Sequence, residues 1–289
     1  MTLATLLVPY DGSWMADRAL ACATMLQRAT GAHLDLLRTA PDVANANHIE
    51  SGVTDGAMDV WDGAPEADQG DGPGDPVATI LATIRCRRPD LVVMASDSWS
   101  SLGLGIDVTR RVSLRSPVPI LVMPTGMGGS AIDQGVRRIL VALDGSEYAE
   151  QALTPARALA DALGAELLLL RVVRPRAVAS GSLEHGHRVD LAGARRYVER
   201  LAVPLRATGT RTSSLAVVGN PLTMIAAVSR AQRADLIAMT TRGRGADTRS
   251  ELGGVSSEIL RSSGVPLLLV PPMAPGGFAL WSKSATMRT

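Results

Sequence analysis

The chain repeats itself, and the repeat constrains its fold more than any other feature. Asp11-Gly12-Ser13 recurs as Asp144-Gly145-Ser146, and Gly31-Ala32 as Gly164-Ala165, both at an offset of 133. Gly74-Asp75-Pro76 recurs as Gly219-Asn220-Pro221, and Asp90-Leu91 with Met94 as Asp235-Leu236 with Met239, both at 145. Val118-Pro119 recurs as Val265-Pro266 at 147. Landmarks kept in order over two half-chains require two similar units, not one large one.

The steps in the offset locate the differences between the copies. The first step adds 12 residues to the second copy, where 187–202 is helical with Leu191, Ala194, Val198 and Leu201 in phase. That is about three helical turns. The first copy has instead an Asp-, Gly- and Pro-rich stretch, 41–76, read as partly disordered or as a lid, with a short strand near Val60-Trp61. The second step leaves the first copy two residues shorter in the loop after Met94.

Each copy alternates short apolar runs with helical patterns. Strands fall at 3–9, 34–37, 136–143, 167–173, 236–239 and 265–270, and helices follow Ser13, Ser146 and Pro221. In the helix from Pro221, Leu222, Ile225, Ala226 and Ser229 face the sheet. In the helix after Ser146, Leu153, Ala156, Ala160 and Leu163 share a face. The fold class is therefore α/β: two tandem doubly wound, Rossmann-like parallel-sheet domains with helices on both faces. The domains span 1–125 and 136–272, joined by a Gly-rich linker at 126–135. The tail, 273–289, is either disordered or a docking segment anchored by Phe278 and Trp281.

Composition agrees. The chain is 46% hydrophobic but 3% aromatic, with a single Phe, so its cores are aliphatic. A net charge of +1 argues against a nucleic-acid stripe or a patch for anionic membrane. No apolar run reaches transmembrane length and no leader is visible, so a cytosolic protein is expected. Cys22 and Cys86 read as reduced packing residues in helices.

Chemistry concentrates in 235–271. An apolar strand is followed by a Gly-rich loop, Thr240 to Gly254, a short helix with Val255, Ile259 and Leu260 on one face, and a second apolar strand. Gly243, Gly253 and Gly254 let backbone approach an oxyanion, and the amides of Gly254, Val255 and Ser256 open a helix. Arg242 and Arg244 add cationic donors, and the hydroxyls of Thr240, Ser256 and Ser257 can add hydrogen bonds. Asp144, just after its strand, sits at the same sheet edge and can accept from ribose hydroxyls. Spacing alone leaves a second reading open, a tight strand-to-helix turn with a solvated arginine face.

The segments VALDGSEYAEQAL and DLIAMTTRGRGADTRSELGGVSSEILRSSGVPLLLV resemble the universal stress protein family, as do LLVPYDGSWMADRAL and DLVVMASDSWSSLGLG with SPVPILVMP in the first copy. The resemblance covers 2–124 and 135–271. It implies an ATP site, with or without magnesium, in the second copy. The family's pattern of Gly, two residues, Gly, nine residues, Gly, then Ser or Thr falls on Thr240, Gly243, Gly253 and Gly254. Two places are kept and two changed, and Arg242 stands where a His is common. The resemblance places Ala142, Asp144 and Val172 around the adenosine and Met239 beneath it. In the first copy Ser98 replaces the loop glycine and Asp97 sets a negative charge beside the expected phosphates, so no nucleotide is expected there. The closing strands, 120–123 and 267–270, would pair to make an intramolecular pseudo-dimer, with a homodimer as a further arrangement.

Other chemistries are poorly served. There is no Gly-x-Ser-x-Gly elbow and no Gly-Lys-Ser/Thr loop, and Thr248 stands where a third dinucleotide glycine belongs. His185 and His187 read as part of a polar loop, not a metal site, and Arg85, Arg87 and Arg88 as an exposed helix end. Nothing is poised as a general base or nucleophile. The expectation is a non-enzymatic, ATP-binding stress-response module with an unidentified regulatory protein partner. The alternative is a stress scaffold or interaction module that binds no nucleotide.

Overall fold

A computed structural model describes residues 3–39, 58–62, 75–96, 105–124, 135–175, 183–242, 254–262 and 264–271. It divides the chain into two units that meet between residues 128 and 129. The linker, the tail, most of 41–76 and the loop positions Asp97, Ser98, Gly243, Arg244, Thr248 and Gly253 lie outside the described residues.

The first unit contains β1 (Thr5–Tyr10), α1 (Trp14–Thr30), β2 (His33–Arg38), β3 (Met58–Asp62), α2 (Pro76–Arg87), β4 (Leu91–Ala95), α3 (Gly105–Arg115) and β5 (Ile120–Met123). Its strands are parallel in the order β3-β2-β1-β4-β5. The second unit contains β6 (Arg138–Leu143), α4 (Glu147–Glu150), α5 (Leu153–Leu163), β7 (Glu166–Val173), α6 (Leu183–Ala207), β8 (Thr212–Val218), α7 (Pro221–Ala231), β9 (Leu236–Thr240), α8 (Gly254–Ser262) and β10 (Leu267–Val270). Its order is β10-β9-β6-β7-β8, again parallel. In each unit the winding reverses once, at β1/β4 and at β6/β9. Right-handed crossovers then place the helices on both sheet faces.

Those strands are apolar on both faces. Leu6, Leu7, Val8, Leu140, Val141, Leu167 and Leu169 are wholly buried, as expected of parallel strands sandwiched between helices. Helix α1 shows how the sequence covers one face. Ser13 caps it by accepting from the Ala16 amide, and Ala16, Ala19, Ala23 and Leu26 form its buried stripe. Gly31 ends it.

Several expectations are corrected. The helix after Ser146 breaks at Gln151-Ala152 into α4 and α5, because Pro155 has no N–H for the carbonyl four residues back. Ala156 and Ala160 are buried there, while Leu153 and Leu163 are only half-buried. Helix α6 is longer than its apolar phase indicates and begins at Leu183, so His185 and His187 lie in a helix and not in a loop. Helix α7 stops at Ala231, where Arg233 turns left-handed at φ 50°, and its buried face is Ile225, Val228 and Ser229. Cys86 is exposed and only Cys22 packs. Arg87 is not merely a solvated helix end. It stacks 3.6 Å from the Trp61 ring centroid and lies 3.5 Å from the buried Asp35 and 3.7 Å from Asp59. With the Trp61 indole N–H donating to the same Asp35 oxygen at 3.4 Å, it compensates the burial of that carboxylate.

Gly219 is the turn on which α7 is hung. Its φ of 155° is disfavoured for an L residue, and an added Cβ would lie 2.5 Å from Met224 Cγ. Asn220 follows directly and caps the helix through the Leu222 amide at 3.0 Å. Gly219→Ala is therefore expected to cost about 1–3 kcal/mol, read as a lower urea midpoint at unchanged slope. An unchanged midpoint would show that the turn relaxes without cost.

Candidate functional site

In the second unit the switch point lies between β6 and β9, so the crevice at their carboxyl ends is where an open α/β sheet receives a ligand. The register Ala142 with Leu170 and Leu140 with Ile237 puts Ala142, Val172 and Met239 on one sheet face at that end. All three are buried, with 7–9% of their surface accessible. They form an apolar shelf. Thr240, next along β9, faces the other way, as strand alternation demands.

Asp144 follows β6 in a tight turn. Its Oδ1 accepts from the Ser146 amide at 2.9 Å and from Ser146 Oγ at 2.5 Å. Ser146 Oγ in turn accepts from the Ala149 amide at 3.2 Å and caps α4. The first unit is built the same way, with Asp11 Oδ1 accepting from Ser13 N at 3.1 Å and Ser13 Oγ at 2.6 Å. Gly145 at φ 79° and Gly12 at φ 78° supply the left-handed step between them. A motif with one geometry in both copies is the fold's own strand-to-helix turn. One oxygen of Asp144 is thus committed to that turn and not to a ribose.

The hydroxyls expected to reach a ligand are also engaged. Thr240 Oγ1 donates to the Arg242 carbonyl at 2.5 Å. Ser256, buried on α8, donates to the Thr241 carbonyl at 3.1 Å. Thr109 of the first unit makes the same tie, to Ser96 O at 3.2 Å. This tie fixes the start of α8 against the end of β9. It leaves Gly254 exposed, Val255 half-buried and Arg242 half-buried at the same edge. The structure therefore brings Ala142, Asp144, Val172, Met239, Thr240, Arg242, Gly254, Val255 and Ser256 to the carboxyl edge of one sheet.

Two further side chains stand there. Arg171 donates from Nη1 to the Leu143 carbonyl at 3.3 Å. Tyr197 on α6 has a buried hydroxyl beside the Glu150 carboxylate. Desolvation first, then the nearby Glu150 carboxylate, raises its pKa; Arg171 opposes this and Asp144 adds to it. Arg200 lies 5.5 Å from the Tyr197 ring and 3.2 Å from Glu150. Arg171 had a signal in sequence, since it interrupts the apolar run ELLLLRVV. Tyr197 had none, because its place depends on how α6 docks.

Two outcomes test this account. Ser256→Ala removes a buried tie and is expected to cost about 1–2 kcal/mol, whereas Ser257→Ala should stay within about 0.5 kcal/mol, both by urea denaturation. Equal losses would refute a special role for Ser256. The second outcome concerns Asp11, whose Oδ2 is buried without a partner among the described residues. Burial pushes its carboxyl above the usual range, against the pull of the Ser13 hydrogen bonds. A raised folded pKa means that stability is present below the unfolded value and lost as pH rises through the folded one. Asp11→Asn should therefore gain on the parent protein at pH 7, and the gap should close below about pH 4. A gap that widens on acidification would contradict this sign.

The comparisons with known proteins agree with one another. The model of the universal stress protein family matches twice, over residues 3–124 and 135–271. A Thermus aquaticus protein described as "Universal stress protein in QAH/OAS sulfhydrylase 3'region" is 34% identical over 138 residues, 46% of this chain and 98% of that one. A universal stress protein structure from Archaeoglobus fulgidus is 19% identical, with a TM-score of 0.64, covering 94% of this chain and 97% of its own. A functionally unknown Pseudomonas aeruginosa protein reaches a TM-score of 0.66 at 15% identity, covering 98% and 97%. At those identities the two structures attest the fold alone. The chain belongs to the universal stress protein family, whose domain it carries twice in tandem.

Proposed function

We propose that the second unit binds ATP at the carboxyl edge of its sheet and that the chain acts as a non-enzymatic, nucleotide-responsive regulatory module in stress. One observation carries the reading: the shelf of Ala142, Val172 and Met239 shares an edge with Arg242 and the first turn of α8, tied to β9 by Ser256. A purine needs an apolar surface, and a phosphate chain needs cations and backbone amides beside it. The two requirements meet at the switch point. Arg171, on the face opposite the shelf, and Tyr197 border Asp144 at this edge and add polar groups beside it. Occupancy would shift the 240–254 connection and so bias a surface offered to a protein partner. Bound magnesium would be held chiefly by the phosphates, since the Asp144 turn already uses one carboxylate oxygen.

Nucleotide released on denaturing the purified protein, followed by calorimetric titration of ATP, tests the proposal. Arg242→Ala is expected to weaken ATP about tenfold, the worth of one charge-assisted contact. Gly253→Val should abolish retention with the fold intact. Absence of bound nucleotide and of any titration heat would leave the scaffold reading in its place.

A further inference from the structure

The second unit has another concave surface, at the opposite end of its sheet. It is a cavity of about 570 Å³ at the amino ends of β6 and β7, lined by Arg137, Arg138, Arg211, Arg233, Glu166 and Asp235, with glycines and aliphatic residues between them. Four arginines and two acidic residues line it, an excess of two positive charges.

Both carboxylates are already engaged. Glu166 Oε2 accepts from Arg138 at 2.8 and 3.2 Å, and its Oε1 accepts from Ser213 at 2.5 Å. Asp235 Oδ2 accepts from the backbone amides of Arg137 at 2.7 Å and Arg138 at 2.9 Å. Arg138 is thus a structural residue, which also donates to the Gln232 carbonyl. Arg211 donates one nitrogen to the Gly164 carbonyl. The guanidinium groups of Arg137 and Arg233 make no hydrogen bond or ion pair among the described residues, and both residues are exposed.

The fold does not require this charge. In the first unit Asp90 Oδ2 accepts from the amides of Ala4 at 2.8 Å and Thr5 at 3.0 Å, the counterpart of Asp235 with Arg137 and Arg138. His33 N donates to Ala4 O at 2.8 Å, as Glu166 N does to Arg137 O. The same backbone edge is therefore built there with Ala4, Thr5 and His33. Only Arg88, left-handed at φ 50° like Arg233, is shared. Arg137 and Arg211 exceed what the first unit places at this edge, and with Arg233 they border a cavity of ligand size. The guanidinium fork matches phosphate oxygens in pairs.

We propose that this amino-edge cleft is a second anion site, in which Arg137, Arg211 and Arg233 take a small, multiply charged phosphate compound. It is separate from the carboxyl-edge site, since it lies at the other ends of the same strands, and it stands whether or not ATP binds there.

Calorimetric titration of the full chain with inorganic pyrophosphate, at about 0.1 M salt where charges are screened beyond about 10 Å, reads the site directly. Binding is expected to survive saturating ATP and the Arg242→Ala change. It should weaken at least about tenfold in the Arg137→Ala/Arg233→Ala double variant. It should recover partly in the double lysine variant, which keeps charge but not the fork. Thermal melts should not move in these variants, because neither side chain supports the fold. Arg211→Ala serves as a third reading. Absence of heat would overturn the proposal. So would binding that ATP displaces and the arginine variants leave unchanged, which would place pyrophosphate at the carboxyl edge. Equal heat from sulfate at matched ionic strength would mean an adventitious ion only.

Discussion

Burial of the strands on both faces is the constraint from which the rest follows. Strands such as Leu6–Val8, Leu140–Val141 and Leu167–Leu169 carry aliphatic side chains up and down alternately, and all of these are buried. Helices must therefore close both faces, and a buried face has no room for unpaired polar chemistry. What remains for function is the two ends of each sheet. The carboxyl ends receive the strand-to-helix turns and helix starts, and the amino ends receive the helix-to-strand turns. Polar groups of consequence in the second unit accordingly sort to one end or the other: Asp144, Arg171 and Arg242 to the first, Arg137, Arg211 and Arg233 to the second.

The repeat works as an internal control on which of those groups are architecture. Asp90 and Asp235 each tie down two amides at the start of the neighbouring strand. Asp11 and Asp144 each hold a serine that caps the next helix. Thr109 and Ser256 each fasten a helix start to a strand end. These features appear in both copies, so they belong to the fold whatever it binds. The differences are the added helix α6, Arg137 and Arg211 at the amino edge and the cation Arg242 where the first copy has Asp97. Function that separates the copies has to be sought among them.

The order of elements was legible because strand and helix periods differ and the repeat supplied each pattern twice. Even the short strand at Val60-Trp61 was visible in an otherwise polar stretch. The break between α4 and α5 could have been read from Pro155 but was masked by the helical spacing around it. Cys86 and Arg87 illustrate a different limit. Both lie near a helix end, and only the docking of β3 decides that Arg87 stacks on Trp61 while Cys86 faces solvent. At the site, the residue types were legible but their hydrogen-bond commitments were not. Thr240 and Ser256 were candidate ligand donors, and the structure turns both hydroxyls to backbone carbonyls. A short hydroxyl beside a strand end finds the nearest unsatisfied carbonyl first, and no linear pattern records that preference.

Commitment of these groups makes the edge more rigid, which bears on what it can bind. A carboxylate held by its own turn and a helix start pinned through Ser256 cannot follow a ligand, so in the proposed site recognition would fall to the long side chains at this edge, Arg242, Arg171 and Tyr197. Two of these sit outside the family's glycine pattern, and Tyr197 is delivered by α6, the element for which the first copy has 12 fewer residues. The insertion that distinguishes the two halves of the chain thus also furnishes the wall that distinguishes their edges. In the proposed site a rigid floor and a borrowed wall would select by shape and charge, and binding there would leave the sheet beneath unchanged.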